Sequence, residues 1–207
     1  MAVDQIIKDI YDSGSDKTVI LEHLKQITSV DDMKTIIDEF NFDVTYNDNE
    51  LIIEHNESMD NFDIIELLLD YGANPKAAGD LILQYACDNY APTNLVKRLL
   101  EAGIPASDNA LHGAIHTKNI GTITLLLDLG VKVSAKSLRA AAHVGEPEIV
   151  RILLDYGADM DAFNTFVDNY DEDDEMKDHP YIETAMILLS HNIPIETIFK
   201  YIMHWGQ

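Results

Sequence analysis

Apolar positions recur with helical spacing along most of the chain, and they come in short runs separated by polar or glycine-bearing breaks. Asp4 to Tyr11 carries Ile6, Ile7 and Ile10 on one side and predicts a short helix, broken by Ser13-Gly14-Ser15. Asp16 is a suitable N-cap for a second helix reaching about Thr28, with Val19, Ile20, Leu24 and Ile27 at helical intervals. A third helix is predicted to start at Asp31 or Asp32 and to turn Met33, Ile36, Ile37 and Phe40 inward. Further on, the inner segments are expected from Asn49 to about His55 and from Leu81 to Cys87. The outer ones run from Ile64 to Asp70 and from Thr93 to Glu101.

Between Leu111 and Asp161 the pattern states itself twice. Leu111-His112-Gly113-Ala114-Ile115 followed by Ile123-Thr124-Leu125-Leu126-Leu127-Asp128-Leu129-Gly130 is matched, 27 residues later, by Leu138-Arg139-Ala140-Ala141-Ala142 and Val150-Arg151-Ile152-Leu153-Leu154-Asp155-Tyr156-Gly157. The same ending occurs clearly at Ile64 to Pro75 and in degenerate form at Ile36 to Asp43, where Asn41 stands in the glycine slot. Asparagine serves there because it tolerates the left-handed conformation that closes a helix. The slot falls at 41, 72, 103, 130, 157 and 192.

These units resemble ankyrin repeats, most closely in Ala141-Ala142-His143-Val144-Gly145-Glu146-Pro147-Glu148-Ile149-Val150 and the Leu153-Leu154-Asp155-Tyr156-Gly157-Ala158-Asp159 ending. The resemblance implies an all-α, ankyrin-like solenoid of about six helix-turn-helix repeats with terminal capping helices. Slot intervals of 31, 31, 27, 27 and 35 fall mostly below the usual period. Only a short connector then joins one outer helix to the next inner helix, so the β-hairpin fingers are expected to be shortened or missing. The chain is read as one ankyrin-repeat domain over 1–207. Its parts are an N-terminal cap and degenerate first repeat (1–44), ankyrin repeats (45–161), a last repeat (162–194) with an acidic insertion (171–180), and a capping helix (195–207). That last helix carries Ile195, Ile198, Phe199, Ile202 and Trp205 on one face, which also suits docking on another protein or self-association.

Charge changes the picture of partners. The net charge is -23 at pH 7. Residues 1–75 hold 18 acids and 4 bases, 76–160 hold 9 and 8, and 161–207 hold 10 and 2. Acidic ends around a nearly neutral middle disfavour contact with nucleic-acid phosphates and favour a protein partner with a basic surface. Within the insertion, Asp171, Glu172, Asp173, Asp174 and Glu175 form an unbroken acidic run. It reads as a solvated loop, as an electrostatic arm, or as a calcium site that lacks the glycine of an EF-hand loop. Met1 to Lys17 shows no leader pattern, and no apolar run approaches a membrane span. A soluble, intracellular, monomeric protein is expected, cytoplasmic or, for an effector, in a host's cytosol or nucleus.

No motif for catalysis stands out: there is no glycine-rich phosphate loop, nucleophile elbow or H-E-x-x-H pattern, and the lone Cys87 occupies a packing slot. No cofactor is implied. His112 and His116 share a helix face, and His143 repeats the His116 slot, without a third ligand fixed nearby for a metal. His112 sits where the family's histidine bonds backbone between repeats. The resemblance further implies that the two residues after the small pair of each inner helix touch a ligand. That gives His116 and Thr117, His143 and Val144, and Asp88 and Asn89, with Tyr71 and Tyr156 adding flat area at a rim of the concave face. The function so implied is a non-enzymatic protein-binding scaffold, similar to small ankyrin proteins that large DNA viruses and intracellular bacteria direct against host proteins. The alternative is an acidic nucleic-acid mimic that inhibits a DNA- or RNA-binding protein.

Overall fold

The computed structural model describes residues 3–57, 61–79, 81–144 and 146–158, the side chains of Glu57, Ala135, Arg139, Ala142 and His143 excepted. The last repeat, the acidic run Asp171 to Glu175 and the C-terminal helix of the sequence reading lie outside the described residues. Among the described residues there are eleven α-helices and no strand. They are α1 (Val3–Asp12), α2 (Lys17–Leu24), α3 (Val30–Phe40), α4 (Tyr46–Glu57), α5 (Phe62–Asp70), α6 (Leu81–Asp88), α7 (Thr93–Glu101), α8 (Asp108–His116), α9 (Ile120–Asp128), α10 (Ala135–Val144) and α11 (Pro147–Asp155). A 3-10 turn, Pro75–Ala78, lies between α5 and α6. Where a hairpin finger would project, residues 102–107 and 129–134 simply cross to the next inner helix.

Packing gathers the chain into two compact units, one of Met1–Ala86 with Arg98–Pro105, the other of Cys87–Lys97 with Ala106–Gln207. In the first, α1 packs on α2 and α3, α3 on α5, and α4 on α5 and the 3-10 turn. Its core is aliphatic: Ile10, Leu24, Met33, Ile36, Leu51, Ile52, Ile64 and Leu68 are buried completely. Each such side chain contributes about 1.5–3 kcal/mol by leaving water. Asp16 caps α2 as predicted, accepting from Thr18 N at 2.8 Å. That helix closes at Leu24 rather than near Thr28, because Gln26 and Ile27 turn back to carbonyls only three residues earlier. Helix α3 begins one residue ahead of the predicted aspartates. Ser29 caps it through Asp32 N, leaving Asp31 and Asp32 in the first turn, where the helix dipole favours acids.

Asn41 holds φ 43° and ψ 49°, the left-handed cap predicted for it. Helix α4 departs furthest from expectation. Asn47, Asp48 and Asn49 all take left-handed angles, with φ of 53°, 57° and 66°, so the right-handed helix starts at Glu50. Asn49 Oδ1 then accepts from Asn74 N at 2.7 Å, tying this turn to the start of the 3-10 segment. Lys25 pairs with Glu22 at 2.9 Å and with Glu50, which holds the ammonium well above its ordinary pKa.

The second unit repeats one scheme. Helix α8 packs on α9 and on α10, and α10 packs on α11. Ala110, Leu111, Ala114, Ile115, Ile123, Leu126, Ala141, Ile149 and Leu153 are fully buried between them. Small alanines on the inner helices let neighbouring backbones approach, and the leucines of the outer helices fill the layer behind.

Candidate protein-binding face

Two sets of polar contacts hold the inner helices of the second unit in register, one at each end. At the N-terminal end, Asp108 accepts from Ser134 Oγ at 2.9 Å on both oxygens and from the buried Ser137 Oγ at 2.7 Å. Ser134 Oγ accepts in turn from Ser137 N, so one carboxylate fixes the start of α10 against the start of α8. Lys136 Nζ reaches Asn109 Oδ1 at 3.5 Å beside it. At the C-terminal end, Thr117 Oγ1 donates toward the Cys87 carbonyl at 3.1 Å, and Lys118 pairs with Glu146 at 2.7 Å.

The loops behind these ends are tied as well. Asn119 Nδ2 donates to the Ala91 carbonyl at 3.2 Å, Asn119 Oδ1 accepts from Thr93 Oγ1 at 3.0 Å, and Thr122 Oγ1 bonds Thr93 Oγ1 at 3.3 Å. These bonds build a firm frame for the side chains between them.

On that frame His112 and His116 meet edge to face, ring centroids 4.4 Å apart, with His116 exposed and His112 half-buried. Burial, Lys136 and His116 together lower the His112 pKa against the opposing pull of Asp88 and Asp108. The inter-repeat backbone bond expected from the His112 slot is made by Thr117 instead. Asp88 is exposed at the end of α6 and leans onto α8: a Cβ at Gly113 would lie 2.2 Å from its Oδ1. Asn89 and Val144 are half-buried nearby in sequence to their helix ends, and the His143 side chain lies outside the described ones.

Tyr71 and Tyr156 close the outer helices α5 and α11. The Tyr71 hydroxyl donates to Asp38 within the first unit, and the Tyr156 hydroxyl donates to Asp128 within the second. Both carboxylates belong to the preceding outer helix, and both phenols have their pKa raised by that bond, Tyr71 to about 12. Arg98 plays the same part toward Asp70, at 2.6 Å. The Asp-Tyr-Gly ending of the repeats is therefore a periodic tie between outer helices.

Sequence reasoning missed Asp108, Ser134, Ser137, Tyr90 and Lys118. Ser107 and Ser134, 27 residues apart and each just before an inner helix, were a usable signal for the first three. Tyr90 and Lys118 stand where the next repeat has Gly145, and both adopt left-handed angles, φ 63° and 56°.

Chemically the face offers imidazole, amide and carboxylate groups on a rigid support. The one thiol, on buried Cys87, is pushed up to about 12 by burial and by Asp88, which leaves no thiolate for nucleophilic work. Among the described residues no three His, Cys, Asp or Glu groups gather to hold a metal. No described helix is long and apolar enough to cross a membrane.

Stacked helix pairs with an open inner-helix face define a helical-repeat recognition scaffold. The family profile described as ankyrin repeats, in three copies, matches residues 83–164, which supports ankyrin repeats over that stretch. Ankyrin repeats are protein–protein interaction modules and are typically non-enzymatic. No curated protein and no solved structure matches the chain significantly.

Proposed function

We propose that the inner-helix face of the second unit binds a protein partner, with Asp88, Asn89, His116, His143 and Val144 as contact residues. The single observation that carries this reading is the exposure of His116 on α8, a helix whose two ends are already tied by Asp108 and Thr117 and onto which Asp88 leans at Gly113. A surface fixed before binding loses little conformational freedom on complex formation. In this reading the Thr117 hydroxyl serves the frame and its methyl the contact, while Tyr156 contributes a ring edge beyond its bonded hydroxyl. The partner is a protein with basic character, drawn by the acidic ends of the chain. The run Asp171 to Glu175 acts as a further arm for it, and an effector or inhibitor role against that protein follows. The protein acts as a monomer in an intracellular compartment.

The test uses the full chain as bait and compares it with His116→Glu and His143→Glu. Loss of one specific partner in both variants, with unchanged thermal stability, supports the reading; retention of full affinity in both removes this face from consideration.

A second reading rests on the net charge of -23: the chain mimics a nucleic acid and occupies the phosphate-binding groove of a DNA- or RNA-binding protein. Binding would then weaken steeply as salt is raised and would compete with duplex DNA, whereas recognition through His116 and its neighbours is far less salt-sensitive.

A further inference from the structure

His112 and His116 stand one helical turn apart on α8, their ring centres 4.4 Å apart and their planes at 72°. Residues four apart share one face of a helix, and the ties at both ends of α8 through Asp108 and Thr117 fix that spacing. On its inward side the helix is locked by Leu111, Ala114 and Ile115, all fully buried. Neither imidazole is hydrogen-bonded to another group among the described residues. In its neutral form each ring therefore keeps a nitrogen lone pair for a ligand, and exposed His116 opens the pair to solvent.

We propose that these two imidazoles chelate one divalent transition-metal ion, copper(II) before zinc(II), with water in the remaining positions. A metal–nitrogen bond of about 2.0–2.1 Å sets the ion roughly 3.2 Å from the ring centre, so two imidazoles at right angles on one ion have centres about 4.5 Å apart. The observed 4.4 Å already meets that requirement. Turning a ring about its Cβ–Cγ bond changes its tilt and hardly moves its centre, and that torsion is soft. A right-angled nitrogen pair suits tetragonal copper(II), which also heads the affinity order for such ligands. Besides His116, the charges acting on His112 are the Lys136 ammonium and the Asp88 and Asp108 carboxylates. The repulsion of a cation by one ammonium is thus opposed by two carboxylates, neither of which has to become a ligand. This site goes beyond the protein-binding reading and does not depend on it.

The probe is copper(II) chloride, titrated at neutral pH into the isotopically labelled full chain, with amide signals followed by NMR and binding by calorimetry. Substoichiometric copper(II) is expected to broaden the signals of residues 112–117 before those of any other histidine. His112→Gln and His116→Gln should each weaken that binding about tenfold or more, because the second imidazole no longer joins intramolecularly. Should His112→Gln disturb folding, His116→Gln, at an exposed position, carries the test alone. Zinc(II) should act on the same signals at higher concentration, and magnesium(II), which seeks oxygen ligands, should leave them unchanged. Undiminished affinity in His116→Gln would overturn the proposal. So would first broadening at another histidine or along Asp171 to Glu175, zinc(II) binding tighter than copper(II), or equal shifts with magnesium(II).

Discussion

Thr117 Oγ1 stands 3.1 Å from the backbone carbonyl of Cys87, thirty residues earlier in the chain, and so joins the end of α8 to the end of α6. The same hydroxyl lies 3.1 Å from the Gly113 carbonyl and 3.3 Å from that of Ala114, and its single proton is shared among the three. Replacing it with the isosteric valine is expected to cost about 1 kcal/mol, the net worth of one intramolecular hydrogen bond. Thr117→Ser should retain most of that. Urea unfolding of the three proteins checks the ranking, and a valine variant as stable as wild type would reduce Thr117 to a surface residue.

Gly113 makes the close approach of Asp88 possible. An added Cβ would sit 2.2 Å from Asp88 Oδ1 and 3.0 Å from the Asp88 amide nitrogen, and the second contact is with backbone that cannot swing aside. Gly113→Ala therefore gains up to about 1 kcal/mol of helix propensity but loses about 1–3 kcal/mol to overpacking, for a net destabilisation. Adding Asp88→Ala should recover part of the loss, since it removes the carboxylate clash and leaves the backbone one. The double-mutant cycle measures that coupling, and strict additivity would mean that the two residues do not meet.

Buried Cys87 should behave as a small apolar side chain. With its thiol pushed up to about 12, almost none is thiolate near neutral pH, so a thiol reagent is expected to label the folded chain very slowly. Labelling should follow the unfolding curve in urea and accelerate only as the chain opens. Prompt, stoichiometric labelling of the folded protein would contradict the packing role.

The helical framework was legible because its signals are local. Apolar spacing placed the inner and outer helices, Asp16 announced a cap, and Asn41 in a glycine slot announced a left-handed turn that it does adopt. What stayed hidden depends on partners far away in sequence. Asn47 and Asp48 look like ordinary loop residues and Asn49 like the start of a helix, until the chain presents Asn74 N to Asn49. The slot of Thr117 marks it as a contact residue, and the Cys87 carbonyl that its hydroxyl meets is not visible from that slot. Tyr71 and Tyr156 similarly suggested recognition, although each hydroxyl is bonded to an aspartate of the preceding outer helix. Periodic slots convey which residues are equivalent, and only packing conveys which of them have work to do inside the protein.

His55 makes stability depend on pH in a direction that can be worked out. It is buried in the first unit, with Nε2 3.1 Å from the Leu24 carbonyl. Burial lowers its pKa below the ordinary 6.5, outweighing the Leu24 bond and the Glu54 charge, which both raise it. The folded state thus holds fewer protons on this ring than the unfolded state does at and just below pH 6.5. Stability then rises with pH across that window and is lost as pH falls from 6.5 toward the lowered value. His112, also lowered, adds to the slope in the same sense. Most carboxylates stay ionised between about pH 7.5 and about pH 5.5, so they contribute little there. His55→Gln removes the titrating ring while keeping a polar group for Leu24. It should be no more stable than wild type at the upper pH, yet should lose less on acidification. Urea midpoints at the two pH values give both numbers, and parallel losses in the two proteins would show that His55 is not held neutral by the fold.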